Sequence, residues 1–201
     1  MKQKTLILGL ALATCSLVSC GDDDTPPKEN EEEVIDLVTL TFTPDEGSAV
    51  VFTATDPDGA GVADMAPDGA ITLNANTTYT LAIELENTEE DEDITAEVEE
   101  EGDEHIFFFS FTTDIFSDPA GNGNIDARAD AVNYLDEDVN DEPIGLSTSW
   151  TTGTSSSDGT FRVVLKHQPD IKSATSTSTD GETDIDISWT INIQSPIVVI
   201  M

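Results

Sequence analysis

Residues 78–86 read Thr-Tyr-Thr-Leu-Ala-Ile-Glu-Leu-Glu, and residues 184–193 read Asp-Ile-Asp-Ile-Ser-Trp-Thr-Ile-Asn-Ile. In both stretches apolar side chains alternate with polar or small ones, which is the period of a β-strand that buries one face. Shorter runs of the same kind are separated by turn residues such as Asp158-Gly159, and they span 34–42, 50–54, 70–73, 105–112, 128–135, 146–151 and 160–167. The sequence therefore predicts an all-β, antiparallel, immunoglobulin-like sandwich of about eight or nine strands.

One short acidic helix interrupts the strands. Residues 94–101 lack the strand alternation, Asp93 precedes them as a possible N-cap, and Gly102 follows as a stop. The helix belongs to an acidic belt, residues 84–104, in which 13 of 21 residues are acidic and none is basic. Such a belt is typical of a solvated face, although it leads directly into His105.

The overall charge excludes several classes of partner. The 201-residue chain carries 42 Asp and Glu against 7 Lys and Arg, a formal charge of −35. Neutralising phosphates requires a basic stripe that so few cations cannot form, so we expect no nucleic-acid binding. The same argument excludes adhesion to anionic headgroups through a polybasic patch.

The N-terminus predicts a lipid anchor. Lys2 and Lys4 precede an apolar stretch, residues 6–17, that is too short to remain as a membrane-spanning helix and is typical of a secretory signal. Its end, Leu17-Val18-Ser19-Cys20, resembles the lipobox of bacterial lipoproteins, which implies cleavage before Cys20 and acylation of that residue. The alternative is soluble secretion with Cys20 incidental.

Three segments follow from this interpretation: a signal peptide (1–19), an acylated cysteine with an acidic tether (20–33), and a sandwich domain (34–201). Cleavage removes two lysines and no acid, so the mature charge would be −37. The tether contains no apolar side chain that could order it. Its start, Gly21-Asp22-Asp23-Asp24, resembles the export signal that sends Bacteroidota lipoproteins to the cell surface. We expect an outer-membrane protein on the cell surface, or alternatively one facing the periplasm.

Several segments together resemble a group of uncharacterised Bacteroidota lipoproteins, some encoded near TonB-dependent receptors. The resemblance rests on Asp56-Pro57-Asp58-Gly59-Ala60-Gly61, on Glu104-His105-Ile106-Phe107-Phe108-Phe109 and on Leu165-Lys166-His167-Gln168-Pro169. It implies a TonB-dependent receptor as a partner, but no activity. Members are sometimes labelled as type 1 periplasmic binding folds, which would need long helices that this sequence lacks.

Two loops have the composition of a calcium site. Asp56, Asp58 and Asp64 alternate with glycines, and carboxylates so spaced can wrap Ca²⁺, which takes six to eight oxygen ligands. The fifth and twelfth positions, Ala60 and Pro67, depart from the EF-hand pattern. An acidic loop at 136–142 offers a similar density of oxygens. In both cases the alternative is a plain turn or an acidic hairpin.

The two histidines of the chain, His105 and His167, both lie at predicted strand ends. Together with Asp103 or Glu104, or with Glu100, they would suit Zn²⁺ or Cu²⁺, because imidazole and carboxylate are ligands that these ions accept. The alternative is two unrelated histidines at strand edges.

The expected function is binding rather than catalysis. The chain has neither a Gly-x-Ser-x-Gly elbow nor a glycine-rich phosphate loop. We expect a cell-envelope lipoprotein that is accessory to nutrient or metal uptake. The alternative is a structural, surface-coat or adhesion module whose charge provides solubility.

Overall fold

Two β-sheets pack face to face in the computed structural model, which describes residues 34–56 and 65–195. These residues belong to one compact unit, Glu32–Met201. The expectation of an all-β sandwich is confirmed. Because a unit with its own hydrophobic core can fold independently, we treat this one as an autonomous domain. No helix among the described residues is long and apolar enough to cross a membrane.

The larger sheet has eight strands, and they are β1 (Leu37–Pro44), β2 (Val50–Thr55), β3 (Ala66–Pro67), β5 (Thr78–Asn87), β6 (Glu92–Asp93), β8 (Phe116–Asp118), β9 (Asn133–Tyr134) and β10 (Ser147–Thr152). Their order is β3-β2-β1-β5-β10-β8, with β1 and β5 at the centre. Two short strands pair outside this path, β6 with β5 and β9 with β10.

The strands of the smaller sheet are β4 (Ile71–Asn74), β7 (His105–Phe111), β11 (Ser156–His167) and β12 (Glu182–Gln194). Their order is β4-β12-β11-β7. One pairing departs from the predicted antiparallel arrangement: β4 pairs with β12 in parallel, Ile71 opposite Ile191. Side-chain alternation has the same period in both pairings, so it does not reveal strand direction.

The core lies between the sheets and follows the predicted alternation. In β5 the buried residues include Tyr79, Leu81, Ile83 and Leu85, while Thr80 and Glu84 face outward. In β12 the buried residues are Ile185, Ile187, Trp189, Ile191 and Ile193. Each inward row removes its apolar surface from water, which is the main force that holds the two sheets together.

The acidic helix forms as predicted. Helix α1 (Ile94–Glu100) begins at Asp93, whose carboxylate accepts a hydrogen bond from the backbone N–H of Ala96. Such a cap satisfies one of the orphan N–H groups of the first turn. Ile94 and Val98 bury the inner face of the helix against the core.

The expectation of a strand over 128–135 is wrong, because only Asn133–Tyr134 is a strand. The preceding residues instead cover the outer face of the smaller sheet. Ile125 packs against Ile106, Phe108 and Val164, and the guanidinium of Arg128 lies 5.9 Å from the centroid of the Phe108 ring. The loop therefore buries the apolar side chains on the outer side of β7.

The outer edge of β7 is closed by the same loop. The buried amide of Asn124 accepts a hydrogen bond from the backbone N–H of Phe109 (3.0 Å) and donates one to the Tyr134 hydroxyl (2.8 Å). That hydroxyl donates to the Phe107 carbonyl at 2.6 Å. Burial raises the pKa of Tyr134 to about 12, so the hydroxyl remains a donor at physiological pH. The Phe107 N–H also donates to the Ile144 carbonyl (2.7 Å) and the Phe111 N–H to the Asn122 carbonyl (3.0 Å), so side chains and loop backbone together take the place of a neighbouring strand.

Gly123 allows the covering loop to approach the backbone of β7 closely. Its φ is +87°, and a Cβ there would lie 2.1 Å from the Phe109 carbonyl oxygen. Gly121, two residues earlier, has a φ of +111°, but a Cβ there would meet nothing within 4 Å.

We expect Gly121→Ala to cost about 1 kcal/mol of unfolding free energy from backbone strain alone. Gly123→Ala should cost about 2 kcal/mol more, because overpacking against β7 adds to the same strain. Urea denaturation of both variants measures the difference. Equal losses would show that the loop can move away from β7 without penalty.

Candidate metal centre

The two histidines meet across a strand pair. His105 opens β7, His167 ends β11, and the two are directly opposite in the register. Their rings are stacked, with centroids 4.4 Å apart and planes inclined by 10°. His105 is fully buried and His167 is 3% exposed. The prediction that these residues could share a site is therefore consistent with their placement.

The strand period explains why both rings are buried. His105 shares a face with Phe107 and Phe109, and His167 shares a face with Leu165, so both continue core rows by one step. The pair thus closes one end of the sandwich, where apolar side chains would otherwise stand.

Hydrogen bonds orient both rings. The Nδ1 of His105 lies 3.2 Å from the backbone carbonyl of Glu101, an acceptor only, so we assign a proton to Nδ1. The Nε2 of His167 lies 3.2 Å from a carboxylate oxygen of Glu104. Histidines that bind metals usually have such an acceptor on their other ring nitrogen.

Three carboxylates surround the pair. One oxygen of Glu101 and one nitrogen of each imidazole all lie within 4.8 Å of one another, and no other such group of three occurs in the described ranges. Glu104, which contacts His167, is the second carboxylate. Asp184 is the third, with one oxygen 3.8 Å from His105 Nε2. The β11–β12 register shifts beside it, where Thr183 and Ile185 are the paired residues. Such irregularities redirect side chains.

Binding one ion between both rings requires a rearrangement. An imidazole binds a metal along a lone pair in its own plane, at about 2.0–2.1 Å for zinc. In two parallel stacked rings these directions do not converge, so one ring must turn out of the stack. His167 contacts Glu104, whose side chain is 37% exposed, whereas His105 is fixed to backbone and fully buried. His167 is therefore the ring that can turn at lower cost.

The structure places the three acids that the sequence analysis considered beside the histidines differently. Glu104 contacts His167, as expected. Asp103 and Glu100 are exposed and line a neighbouring cavity, so the expectation that Asp103 joins the pair is not met. The turn after α1 directs that residue outward. Glu101 and Asp184 were missed: Glu101 is four residues before His105, a helical spacing that could have indicated it, whereas Asp184 depends on the irregular β11–β12 register.

The structure describes the two candidate calcium loops to different extents. Asp56 follows β2, and its backbone N–H donates to the carbonyl of Asp36 at 2.8 Å. Asp58 and Asp64 lie outside the described residues, so that site stays a prediction. In the second loop both oxygens of Asp136 accept backbone N–H groups, from Gly145 and Ser147. Carboxylates already used in this way do not favour Ca²⁺ there.

A cavity of about 510 Å³ lies beside the end of α1. Its walls are acidic, from Glu99, Glu100, Asp103, Asp136, Glu137 and Asp138, and its apolar lining comes from Val139, Ile144 and Leu146. Gly102, between Glu101 and Asp103, also lines it. The cavity and the histidine cluster therefore share the turn that follows α1.

A buried ion pair fixes this turn. The Lys172 ammonium, 1% exposed, donates to Asp138 Oδ2 at 2.8 Å and to the Gly102 carbonyl at 2.5 Å. Burial lowers the pKa of Lys172 against the opposing effect of Asp138. Burial also raises the pKa of Asp138, but hydrogen bonds from Lys172 and from the Glu142 and Asn140 amides outweigh it and lower that pKa overall. The pair joins the 168–181 loop to the turn beside Glu101.

Comparisons with known proteins find no match: no family model, no curated protein and no solved structure is significantly similar to this chain.

We expect Lys172→Met or Asp138→Asn alone to cost about 3 kcal/mol of unfolding free energy, because each substitution leaves the other buried charge without its partner. The double variant should lose clearly less than the sum of the two. A double-mutant cycle by urea denaturation measures the coupling. Strict additivity would contradict a coupled ion pair.

Proposed function

We propose that this protein is a lipid-anchored, cell-envelope protein that binds a transition-metal ion, Zn²⁺ or Cu²⁺, as an accessory to uptake at the outer membrane. The observation that carries the proposal is the buried pair of His105 and His167 with the Glu101 carboxylate beside it. Imidazole selects zinc and copper over hard cations such as Ca²⁺ and Mg²⁺.

The surrounding carboxylates support cation entry. Glu101 and Glu104 are partly exposed, whereas the two imidazoles are buried, so a cation from solvent reaches the acids before the rings. The acidic belt and the net charge of −35 raise the local concentration of cations at this surface. An ion held between Glu101 and the two rings would in turn compensate the carboxylate charge.

The burial of the rings favours binding over catalysis. A catalytic metal needs an open coordination position that a substrate can reach. With imidazoles that are 0% and 3% exposed, the site favours holding an ion over admitting an organic substrate beside it.

The anchor and the partner rest on the sequence. Leu17-Val18-Ser19-Cys20 and the acidic tether after it support acylation at Cys20 and display at the cell surface. The resemblance to lipoproteins encoded near TonB-dependent receptors supports such a receptor as the partner that takes over the bound ion.

We expect micromolar Zn²⁺ or Cu²⁺ to raise the melting temperature of the chain from Gly21 onward by about 5 °C or more at constant ionic strength, because the ion binds only the folded state. His105→Gln, His167→Gln and Glu101→Gln should each abolish most of the rise. Calorimetry of the same proteins checks the stoichiometry.

The matched control is Glu97→Gln, which removes one exposed charge from the same helical segment and should leave the rise intact. Equal small shifts with Mg²⁺, Ca²⁺ and Zn²⁺ would mean charge screening and would favour the structural, surface-coat module. Retained zinc binding in His105→Gln and His167→Gln would place any zinc site elsewhere.

The anchor has its own test. We expect the wild-type chain to fractionate with outer membranes and to be cleaved by protease added to intact cells, whereas Cys20→Ser should leave the membrane fraction. The matched control is Cys15→Ser, which alters a cysteine inside the predicted signal. Protection of a membrane-bound chain from protease would indicate the periplasm-facing alternative.

A further inference from the structure

Exposed apolar side chains are concentrated beside the cavity at the end of α1. Six large apolar side chains are exposed among the described residues, and three of them lie in this region: Leu135 (56% exposed), Val139 (89%) and Ile171 (49%). Single exposed apolar residues need no explanation, but a group of them beside a cavity marks a candidate interaction surface. We call the cavity and these three side chains the docking groove.

The loops that carry these side chains are held in one arrangement. The Asp138 carboxylate accepts hydrogen bonds from the backbone N–H groups of Asn140 (2.7 Å) and Glu142 (3.0 Å), which closes the turn that presents Val139 to solvent. The buried ion pair described above joins this turn to the loop of Ile171. A surface that is ordered before binding loses little conformational entropy when a partner covers it.

The charge of the docking groove has one sign. Glu100 and Asp103 are exposed at its wall, and the apolar side chains of Ile144 and Leu146 also line it. Among the described residues that line the cavity there is no base, and the nearby Lys172 ammonium is only 1% exposed. A cation with an apolar body therefore complements this surface in both charge and polarity.

Other classes of ligand fit the docking groove less well. Its acidic walls repel anions. Sugar recognition generally uses an exposed aromatic ring, and the described lining contains none. Asp136 and Asp138 already accept backbone N–H groups, which disfavours a hard metal ion. A small organic cation would fit the cavity, but Leu135 and Ile171 lie outside the cavity lining and would stay uncovered.

We propose that the docking groove binds a basic, apolar segment of a partner protein, with one arginine or lysine side chain of that segment in the cavity. Both side chains combine an apolar stem with a charged end. The stem would lie against Ile144 and Leu146, and the charged end would meet Glu100 and Asp103. Apolar side chains of the same segment would cover the exposed rim of the groove, which a single cation cannot do.

The docking groove shares no side chain with the histidine cluster, so this proposal goes beyond metal binding and does not depend on it. The metal-free protein can therefore be used to test it. Loss of peptide binding and loss of metal binding are separate outcomes, measured on different variants.

The test uses two synthetic peptides of equal length and charge, blocked at both ends, and the metal-free chain from Gly21 onward. One peptide alternates arginine with leucine, and the other alternates arginine with serine. Calorimetry in 0.1 M and 0.5 M NaCl measures both affinities. We expect the arginine–leucine peptide to bind about tenfold tighter, because it also buries the apolar rim. That preference should persist at high salt, which screens charges but not apolar contacts.

The decisive variant is Val139→Ser combined with Ile171→Ser, which changes no charge and should remove the preference for leucine. Its matched control is Val51→Ser, at a 56% exposed valine of β2, which should leave the preference intact. Glu100→Gln should weaken the binding of both peptides more than Glu97→Gln, which removes the same charge outside the described cavity lining. Circular dichroism melts confirm that each variant folds.

Amide chemical shifts locate the contact, and we expect the arginine–leucine peptide to move the signals of Gly102, Val139 and Ile144. Equal affinity for the two peptides, a preference that the double variant retains, or shifts confined to other segments would overturn the proposal. Binding of hexylammonium in the cavity without binding of the arginine–leucine peptide would identify a small organic cation as the occupant, and would overturn it as well.

Discussion

Aromatic packing between the two sheets is the interaction on which the rest of the structure depends. Trp150 of the larger sheet lies 5.3 Å, centroid to centroid, from both Phe109 and Phe161 of the smaller one, and 4.7 Å from Phe116. These rings are fully or almost fully buried. Their burial supplies much of the apolar gain that opposes the mutual repulsion of 42 acidic side chains. Strict alternation makes this possible, because it keeps nearly every charge out of the core.

That alternation is also why much of the fold could be predicted from the sequence. Strands such as 78–87 and 182–194 have one buried face each, and their period of two is visible in the residues. The helix could be predicted because Asp93 is an N-cap residue and Gly102 is a stop signal. The parallel pairing of β4, the two-residue strands and the loop over Phe108 were not, because they depend on contacts between distant segments rather than on local pattern.

The candidate site shows the same division. Histidines at the ends of two predicted strands could be recognised as candidate ligands, but their stacking depends on β7 and β11 being neighbours in register. The position of Asp184 beside the histidines depends on an irregularity in the β11–β12 pairing, which no residue pattern in the sequence indicates. Asp103 was a reasonable candidate by proximity in sequence, yet the turn after α1 directs Glu104 towards the rings and Asp103 to solvent.

The groups around the histidine pair come from three distant parts of the chain: the turn at 101–105, the end of β11 and the start of β12. They adjoin only after β7, β11 and β12 have paired in the smaller sheet, so an unfolded chain has no chelating geometry to offer. Any ion bound there would add its binding free energy to folding. A chain exported unfolded would therefore acquire its ion at its destination, and the composition of that compartment, rather than of the cytoplasm, would decide which ion it carries.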